Sequence, residues 1–295
     1  MTSQAHYIES LKSLTVPRGK SDDDSELADA QLQADYQSVL GSVAFTALTR
    51  ADALIYIQAL QRRGHAPRLV DCRRLNVLVR YLKKAPVGIF YRKVAEPRRL
   101  IAFSDSAFKA QEEESSGLAL RGIAVLLTTA DCISPTSKDG ACQLIDYLTR
   151  KLKRVVRSTF AAEYNALLDS IEHLLLLQLT LHQLWYGAHA TASQLMQILE
   201  SGQLLPRVEI AIDAKSVYDA LCAPDISTPQ EAGLKLHLLA VRDRLSKGIL
   251  HALHWVDTRD MLGDPFYKGH GAQRANRRRN AAGDQQTATS SSLPL

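Results

Sequence analysis

Leu100-Ile101-Ala102-Phe103-Ser104-Asp105-Ser106 reads as a short β-run that closes on a carboxylate, and Glu209-Ile210-Ala211-Ile212 closes on Asp213 in the same way. Strands that end on Asp side by side bring their carboxylates to one edge of a sheet. Between the two runs, Phe160, Tyr164, Leu167, Ile171 and Leu174 recur at three-and-four spacing and mark a long helix from about Thr159. Glu163 falls at the margin of that helix's apolar face, where a carboxylate has to be paired or metal-bound. A fourth acid, Asp264, lies in the short segment after a last β-run, His251 to Val256, and can return to the same edge.

Working outward, Gly88 to Arg92, Arg99 to Ser104, Leu118 to Leu127 and Gln143 to Leu148 are β-type runs at close spacing, which predict an antiparallel meander. Helices are expected near Ser193 to Leu199, across Val217, Ala220 and Leu221, from about Pro229 to Lys247, and briefly around Met261. This order predicts an α/β fold: a sheet of mixed strand direction with helices on its faces. Trp185 and Tyr186 end the long helix and are expected in its core. His251 and His254, three apart in a strand, are expected on opposite faces and so cannot chelate one metal together.

Upstream, Val39, Val43, Phe45, Leu48, then Leu54, Ile57, Leu60, then Leu69, Leu75, Leu78, Val79 and Leu82 predict three helices, a small helical module within residues 34–95. Residues 1–33 mix Ser, Asp and Gln with a Pro17-Arg18-Gly19 break and the run Asp22-Asp23-Asp24, and are expected to be a disordered lead-in. Residues 270–295, with Arg274, Arg277, Arg278 and Arg279 before a polar end, are expected to be a disordered basic tail. The sheet-forming domain is then expected over 96–269.

Composition narrows the classes. The chain has 295 residues, 46% of them hydrophobic, with 36 Lys plus Arg against 31 Asp plus Glu, a net charge of +5. That is globular composition, neither a peptide nor a strongly acidic protein. No apolar run reaches the roughly 18 residues that cross a bilayer, and Met1 to Lys12 lacks a signal-type apolar region. Cys72, Cys132, Cys142 and Cys222 form no C-x-x-C pair, so reduced, mostly buried thiols in a cytoplasmic or nuclear chain are expected, with no membrane association. Neither Gly-x-Gly-x-x-Gly nor a Walker Gly-Lys-Ser occurs.

Each carboxylate also has an ordinary reading. Asp105 and Asp213 can open turns or cap helices, Glu163 in a first turn gains from the helix dipole, and Asp264 before Pro265 suits a turn. The Lys and Arg residues at 150, 151, 153, 154 and 157 can be a solvated surface run.

A family resemblance weighs between these readings. Asp105-Ser106 after Leu100 to Ser104, then Ser158-Thr159-Phe160-Ala161-Ala162-Glu163-Tyr164-Asn165-Ala166-Leu167, then Ile212-Asp213-Ala214-Lys215-Ser216, then Trp255-Val256-Asp257-Thr258-Arg259-Asp260-Met261-Leu262-Gly263-Asp264 resemble, in this order, the ribonuclease H domain of Ty1/Copia-type retrotransposon Pol polyproteins. The match covers about residues 98–269. Tyr36-Gln37-Ser38-Val39-Leu40-Gly41-Ser42, Thr49-Arg50-Ala51-Asp52 and Leu78-Val79-Arg80-Tyr81-Leu82-Lys83 resemble the C-terminal end of the reverse transcriptase that precedes that domain.

The resemblance implies a ribonuclease H-like mixed five-stranded sheet with flanking helices, preceded by a small helical module. It implies an endoribonuclease that hydrolyses the RNA strand of RNA–DNA hybrids with two Mg²⁺ ions, Mn²⁺ serving as well. Asp105, Glu163, Asp213 and Asp264 would be catalytic and metal-holding, with Asp105 bridging, Glu163 and Asp213 holding one ion each, and Asp264 completing a weaker corner. Lys151, Lys153, Arg154, Arg157 and Lys215 would meet nucleic acid, and the rest of a retroelement polyprotein would be the natural partner. Two motifs depart from the family pattern: in the first, Ala107 stands where a second Asp is common, and in the last, Gly263 and Pro265 flank Asp264, which leaves Asp257 and Asp260 as substitutes and a catalytically inactive nucleic-acid-binding relative as the alternative. With no Tyr-x-Asp-Asp motif, no polymerase activity is expected.

Overall fold

The computed structural model describes residues 3–17, 26–85, 87–107, 119–129, 141–153, 155–187, 191–224, 233–258 and 261. The chain divides into two compact units, Met1–Tyr91 and Arg92–Leu295.

The first unit is helical: α1 (Ala5–Ser10), α2 (Ala30–Phe45), α3 (Leu54–Gln61) and α4 (Leu69–Lys84), with short 3₁₀ turns at Thr46–Leu48 and Ala51–Ala53. Asp29 caps α2 by accepting from the Leu32 N–H at 2.8 Å. The apolar stripes of α2, α3 and α4 close on one core around Tyr36, Val43, Ile57, Leu75 and Val79. Within it Tyr36 is fully buried and donates its hydroxyl to the Leu60 carbonyl at 2.8 Å, tying α2 to α3. Arg50 is also fully buried. Its guanidinium grips both oxygens of Asp52, at 2.9 and 2.7 Å, and donates to the Leu82 carbonyl at 3.1 Å. Asp52 accepts a third hydrogen bond from Tyr81 at 2.7 Å, so the turn after α2 is locked to the end of α4.

Several expectations change here. The lead-in is ordered over residues 3–17: Ile8, Leu11 and Leu14, spaced by three, bury into the helical core, and Asn76 brackets the Leu14 backbone with bonds of 2.7 and 2.9 Å. Polar neighbours hid that stripe. Asp22 to Asp24 lie outside the described residues. Gly88 to Arg92 forms none of the sheet strands. Phe45 and Leu48 point outward rather than into the core, because α2 ends at Phe45 and the chain turns away.

The second unit is a five-stranded sheet of β1 (Arg98–Ala107), β2 (Leu120–Thr129), β3 (Cys142–Lys151), β4 (Arg207–Ile212) and β5 (Ala252–Trp255), in the order β3-β2-β1-β4-β5. The meander β1, β2, β3 is antiparallel, whereas β1, β4 and β5 run parallel. The parallel half needs crossovers, and helices supply them: α5 (Thr159–Tyr186), α6 (Ala192–Glu200), α7 (Lys215–Cys222) and α8 (Leu234–Ser246). Alternate residues Leu100 and Ala102, Ile123 and Val125, Val208 and Ile210 share a core with Leu167, Ile171 and Leu174 of α5. This is the mixed five-stranded α/β architecture expected.

Trp185 and Tyr186, expected in the core, are 38% and 48% exposed because α5 overruns the sheet. There the Arg98 guanidinium sits 4.9 Å from the Trp185 ring, and Tyr186 donates to Glu96 at 3.2 Å. Of the cysteines, Cys72 is buried as expected, but Cys142 and Cys222 are exposed, at the start of β3 and the end of α7. The expected tail 270–295 lies outside the described residues.

Gly202 turns the chain from α6 toward β4 at φ +67, and a Cβ there would run into the carbonyl oxygen of Lys247. Gly202→Ala combines backbone strain with a clash against main chain that cannot move aside, and should lower stability by about 2–3 kcal/mol. Urea unfolding of the two proteins checks this; a loss within error of zero would show that the turn relaxes.

Candidate active site

The site is built where β1, β4 and α5 meet. Asp105 lies near the end of β1 with 2% of its surface exposed, its Oδ1 accepting the Ser106 N–H at 2.6 Å. The parallel register last pairs Phe103 with Ala211, so two residues further each chain reaches its acid, Asp105 on one and Asp213 on the other. Sequence spacing and strand direction together make these neighbours. From the far side, the Trp255 indole N–H of β5 donates to the Asp213 carbonyl at 3.1 Å and fixes the backbone that carries the second acid.

Glu163 comes from α5. Ser158 caps the helix, accepting from the Ala161 N–H at 3.1 Å, and sets where its first turn starts. Two turns on, the Ser170 hydroxyl meets the Ser104 hydroxyl of β1 at 2.7 Å in a fully buried contact, holding α5 against the strand that bears Asp105. Asp105, Glu163 and Asp213 consequently each present a carboxylate oxygen within 4.8 Å of the other two. Asp105 is buried, and Glu163 and Asp213 are half-buried. Three carboxylates this close form a hard-oxygen donor set of the type that can hold a divalent cation, and caps facing separate helices would not converge. Among the described residues this is the one such group. Asp264 and Asp260 lie outside the described residues, and Asp257, half-buried after β5, does not join the cluster.

No protein-family model matches the chain. Among curated proteins it is 24% identical over 235 residues to the "Retrovirus-related Pol polyprotein from transposon RE1" of Arabidopsis thaliana, a match over 79% of this chain. That likeness is to a Copia-type retrotransposon Pol polyprotein. The chain spans 14% of the length of that relative. Among solved structures it is similar to the N-terminal RNase H domain of Rv2228c from Mycobacterium tuberculosis, solved as a fusion with maltose-binding protein, at 16% identity and a TM-score of 0.34, over 60% of this chain and 98% of that one.

The cationic residues expected to meet nucleic acid lie in the second unit. Lys151 ends β3 and is half-buried, Lys153 and Arg157 are exposed on the way to α5, and Arg154 lies outside the described residues. Exposed Lys215 opens α7, pairs with Asp219 at 3.5 Å and sits 5.2 Å from the Trp255 ring. Arg121, which sequence reading did not single out, stands opposite Arg150 on β2 and opposite Ser106 on its other side, and pairs with Asp169 of α5. Burial and the neighbouring Arg150 pull its pKa down, against the pull of Asp169.

A second ionic cluster lies nearer the starts of the strands and was also missed. Glu209 of β4 is 7% exposed and bonds Arg99 at 2.7 Å and His254 at 2.8 Å. Burial alone would raise its carboxyl, but the His254 hydrogen bond and the Arg99 charge outweigh that and hold it below the usual carboxylate range. A folded-state pKa below the unfolded one stabilises the fold above the unfolded value and is lost as pH falls through the folded one. The unfolding midpoint in urea should therefore drop as pH is lowered below about 4, and Glu209→Gln should flatten that acid limb. An unchanged acid limb in the variant would remove Glu209 as its source.

Proposed function

We propose that the second unit is an endoribonuclease that hydrolyses the RNA strand of RNA–DNA hybrids, working as part of a retrotransposon Pol polyprotein in the cytoplasm or nucleus. The observation that carries this is the convergence of Asp105, Glu163 and Asp213 from three separate elements to within 4.8 Å. The donor set fits Mg²⁺ or Mn²⁺: all ligands are carboxylate oxygens, with neither imidazole nor thiolate among them. Asp105, the most buried of the three, would hold the cations together with Glu163 and Asp213, and Asp264 would be a fourth ligand. Ions bound there would activate water and offset the charge that develops at phosphorus and on the departing oxygen.

The chain's own residues do the rest. Trp255 and the Ser104–Ser170 pair hold the acids in place, so little reorganisation is left for the reaction itself. Lys153, Arg157 and Lys215, all exposed, together with Lys151 and Arg154, would position the hybrid through its phosphates. The first unit would be the C-terminal remnant of a reverse transcriptase, a reading supported by the Pol relationship and by the chain's division after Tyr91. The alternative, an inactive nucleic-acid-binding relative, is favoured only by Gly263 and Pro265 around Asp264. The deciding experiment incubates a hybrid labelled in its RNA strand with the chain in Mg²⁺, in Mn²⁺ and in EDTA. Cutting that needs the cation and spares a DNA duplex supports the enzyme; an intact hybrid in both metals sinks it.

A further inference from the structure

Glu209 is a buried acid in the middle of a sheet, between Val208 and Ile210, which share the core with α5. Successive side chains of a strand alternate faces, so Glu209 points to the other one. Its register partner on β1, Ile101, and the next alternate residue of its own strand, Ala211, are buried there as well. A carboxylate kept from water needs hydrogen-bond partners, and Glu209 finds them on two different strands. Its Oε1 accepts from the Arg99 guanidinium of β1 at 2.7 Å, and its Oε2 meets Nε2 of His254 on β5 at 2.8 Å. One side chain of β4 is thereby joined to the strands on both sides of it, in the sheet order β1-β4-β5.

The three strands joined in this way are the ones that carry the carboxylate site. Arg99 precedes Asp105 by six residues on β1, Glu209 precedes Asp213 by four, and His254 directly precedes Trp255, whose indole N–H holds the Asp213 carbonyl at 3.1 Å. The level of Asp105 against Asp213 is the β1–β4 register itself, with Ile101 beside Glu209 and Phe103 beside Ala211. Backbone bonds of a parallel pair are evenly spaced and do not by themselves tell one register from another slipped by two residues. Side chains that meet at a single offset do.

We propose that Glu209 is a positioning residue for the carboxylate cluster: by joining β1, β4 and β5 at one level, it sets the spacing at which Asp105 and Asp213 receive a divalent cation. Glu209 is not one of the converging acids and acts through the strands. The inference rests on the reading of Asp105, Glu163 and Asp213 as a cation site. It makes the two links matter more than the charge that forms them. In Glu209→Gln the amide oxygen still accepts from Arg99, and the amide N–H donates to Nε2 of a neutral His254, so both links survive. Glu209→Ala removes both, and His254→Leu removes the one to β5.

The test is calorimetric titration of the full chain with Mn²⁺ near neutral pH, without nucleic acid. Asp105→Asn, run beside the parent, identifies the heat that belongs to the cluster. Glu209→Ala should bind Mn²⁺ there about five- to tenfold more weakly and His254→Leu about threefold, while Glu209→Gln stays within about twofold of the parent. Gly202→Ala, destabilised in the same unit by its clash with Lys247, should titrate like the parent and so separates positioning from a general loss of stability. If Glu209→Ala and His254→Leu bind as the parent does, or if Gly202→Ala loses as much as they do, Glu209 only stabilises the fold and the proposal is overturned while the cation site stands. A parent titration that Asp105→Asn leaves unchanged removes the cation site itself, and the proposal with it. Should Glu209→Ala fail to fold, His254→Leu against Glu209→Gln gives the answer by the same criterion.

Discussion

Asp105→Asn is expected to reduce cation-dependent cleavage of the RNA strand by on the order of 10³-fold or more, about 4 kcal/mol of lost stabilisation at the reacting phosphate. Asn keeps the shape of the side chain and can still accept the Ser106 N–H, so the 2%-exposed position is refilled without a cavity. What disappears is the negative charge shared among three carboxylates whose oxygens lie within 4.8 Å. Hybrid binding in EDTA should survive, because the exposed cations that would hold phosphates are untouched. Cleavage rates of parent and variant at saturating Mg²⁺, with circular dichroism as the check on folding, give the answer. A variant that cuts within a few-fold of the parent would place the chemistry elsewhere. Glu163→Gln should behave alike, since each acid comes from a different element and none duplicates another.

The second large effect lies in the helical unit. Asp52→Ala is expected to destabilise it by about 3–5 kcal/mol, because it strands a fully buried guanidinium with the Leu82 carbonyl and the face of the Tyr81 ring but no balancing charge. Asp52 itself is about a third exposed, so its own desolvation is partial and the penalty sits on Arg50. Burial alone would raise the Asp52 carboxyl, but hydrogen bonds from Arg50 and Tyr81 outweigh it and hold the carboxyl below its usual range. The pair therefore stabilises the unit above the unfolded pKa of Asp and loses that contribution as pH falls through the folded one. Replacing both partners by apolar residues should restore much of the loss, as the double variant Arg50→Met, Asp52→Leu would show in thermal unfolding. If Asp52→Ala alone leaves the midpoint unchanged, the buried pair is not what holds that turn.

The elements that carry the site were the most legible in the sequence, for a physical reason. Strand runs such as Leu100 to Ser104 and Val208 to Ile212 are set by β-branched and apolar alternation, and the α5 stripe by helical period. Both are local patterns, and they brought Asp105, Asp213 and Glu163 to notice as acids at the ends or margins of apolar elements. Their mutual distance depends on strand order and register, which no local pattern contains. Contacts made by polar side chains across long separations were not legible: Arg50 with Leu82, Ser104 with Ser170, and Glu209 between Arg99 and His254 each look like ordinary surface residues until the chain is folded. The error at Ile8, Leu11 and Leu14 is of another kind. Three apolar residues among polar ones are too few to define a helix by period, and only the waiting core of α2 to α4 gives them a place. Trp185 went the other way, a large apolar ring read as interior although the helix bearing it extends past the sheet.

The closeness of Asp105, Glu163 and Asp213 has a cost to the fold that bears it. Three like charges drawn together by β1, α5 and β4 push those elements apart whenever no cation balances them. The Ser104–Ser170 contact and the Trp255 bond to the Asp213 backbone lie where that thrust is felt, and act as braces against it. Neutralising one acid thus removes an internal load as well as a potential ligand, so Asp105→Asn is expected to unfold at a thermal midpoint no lower than the parent's in the absence of divalent cations.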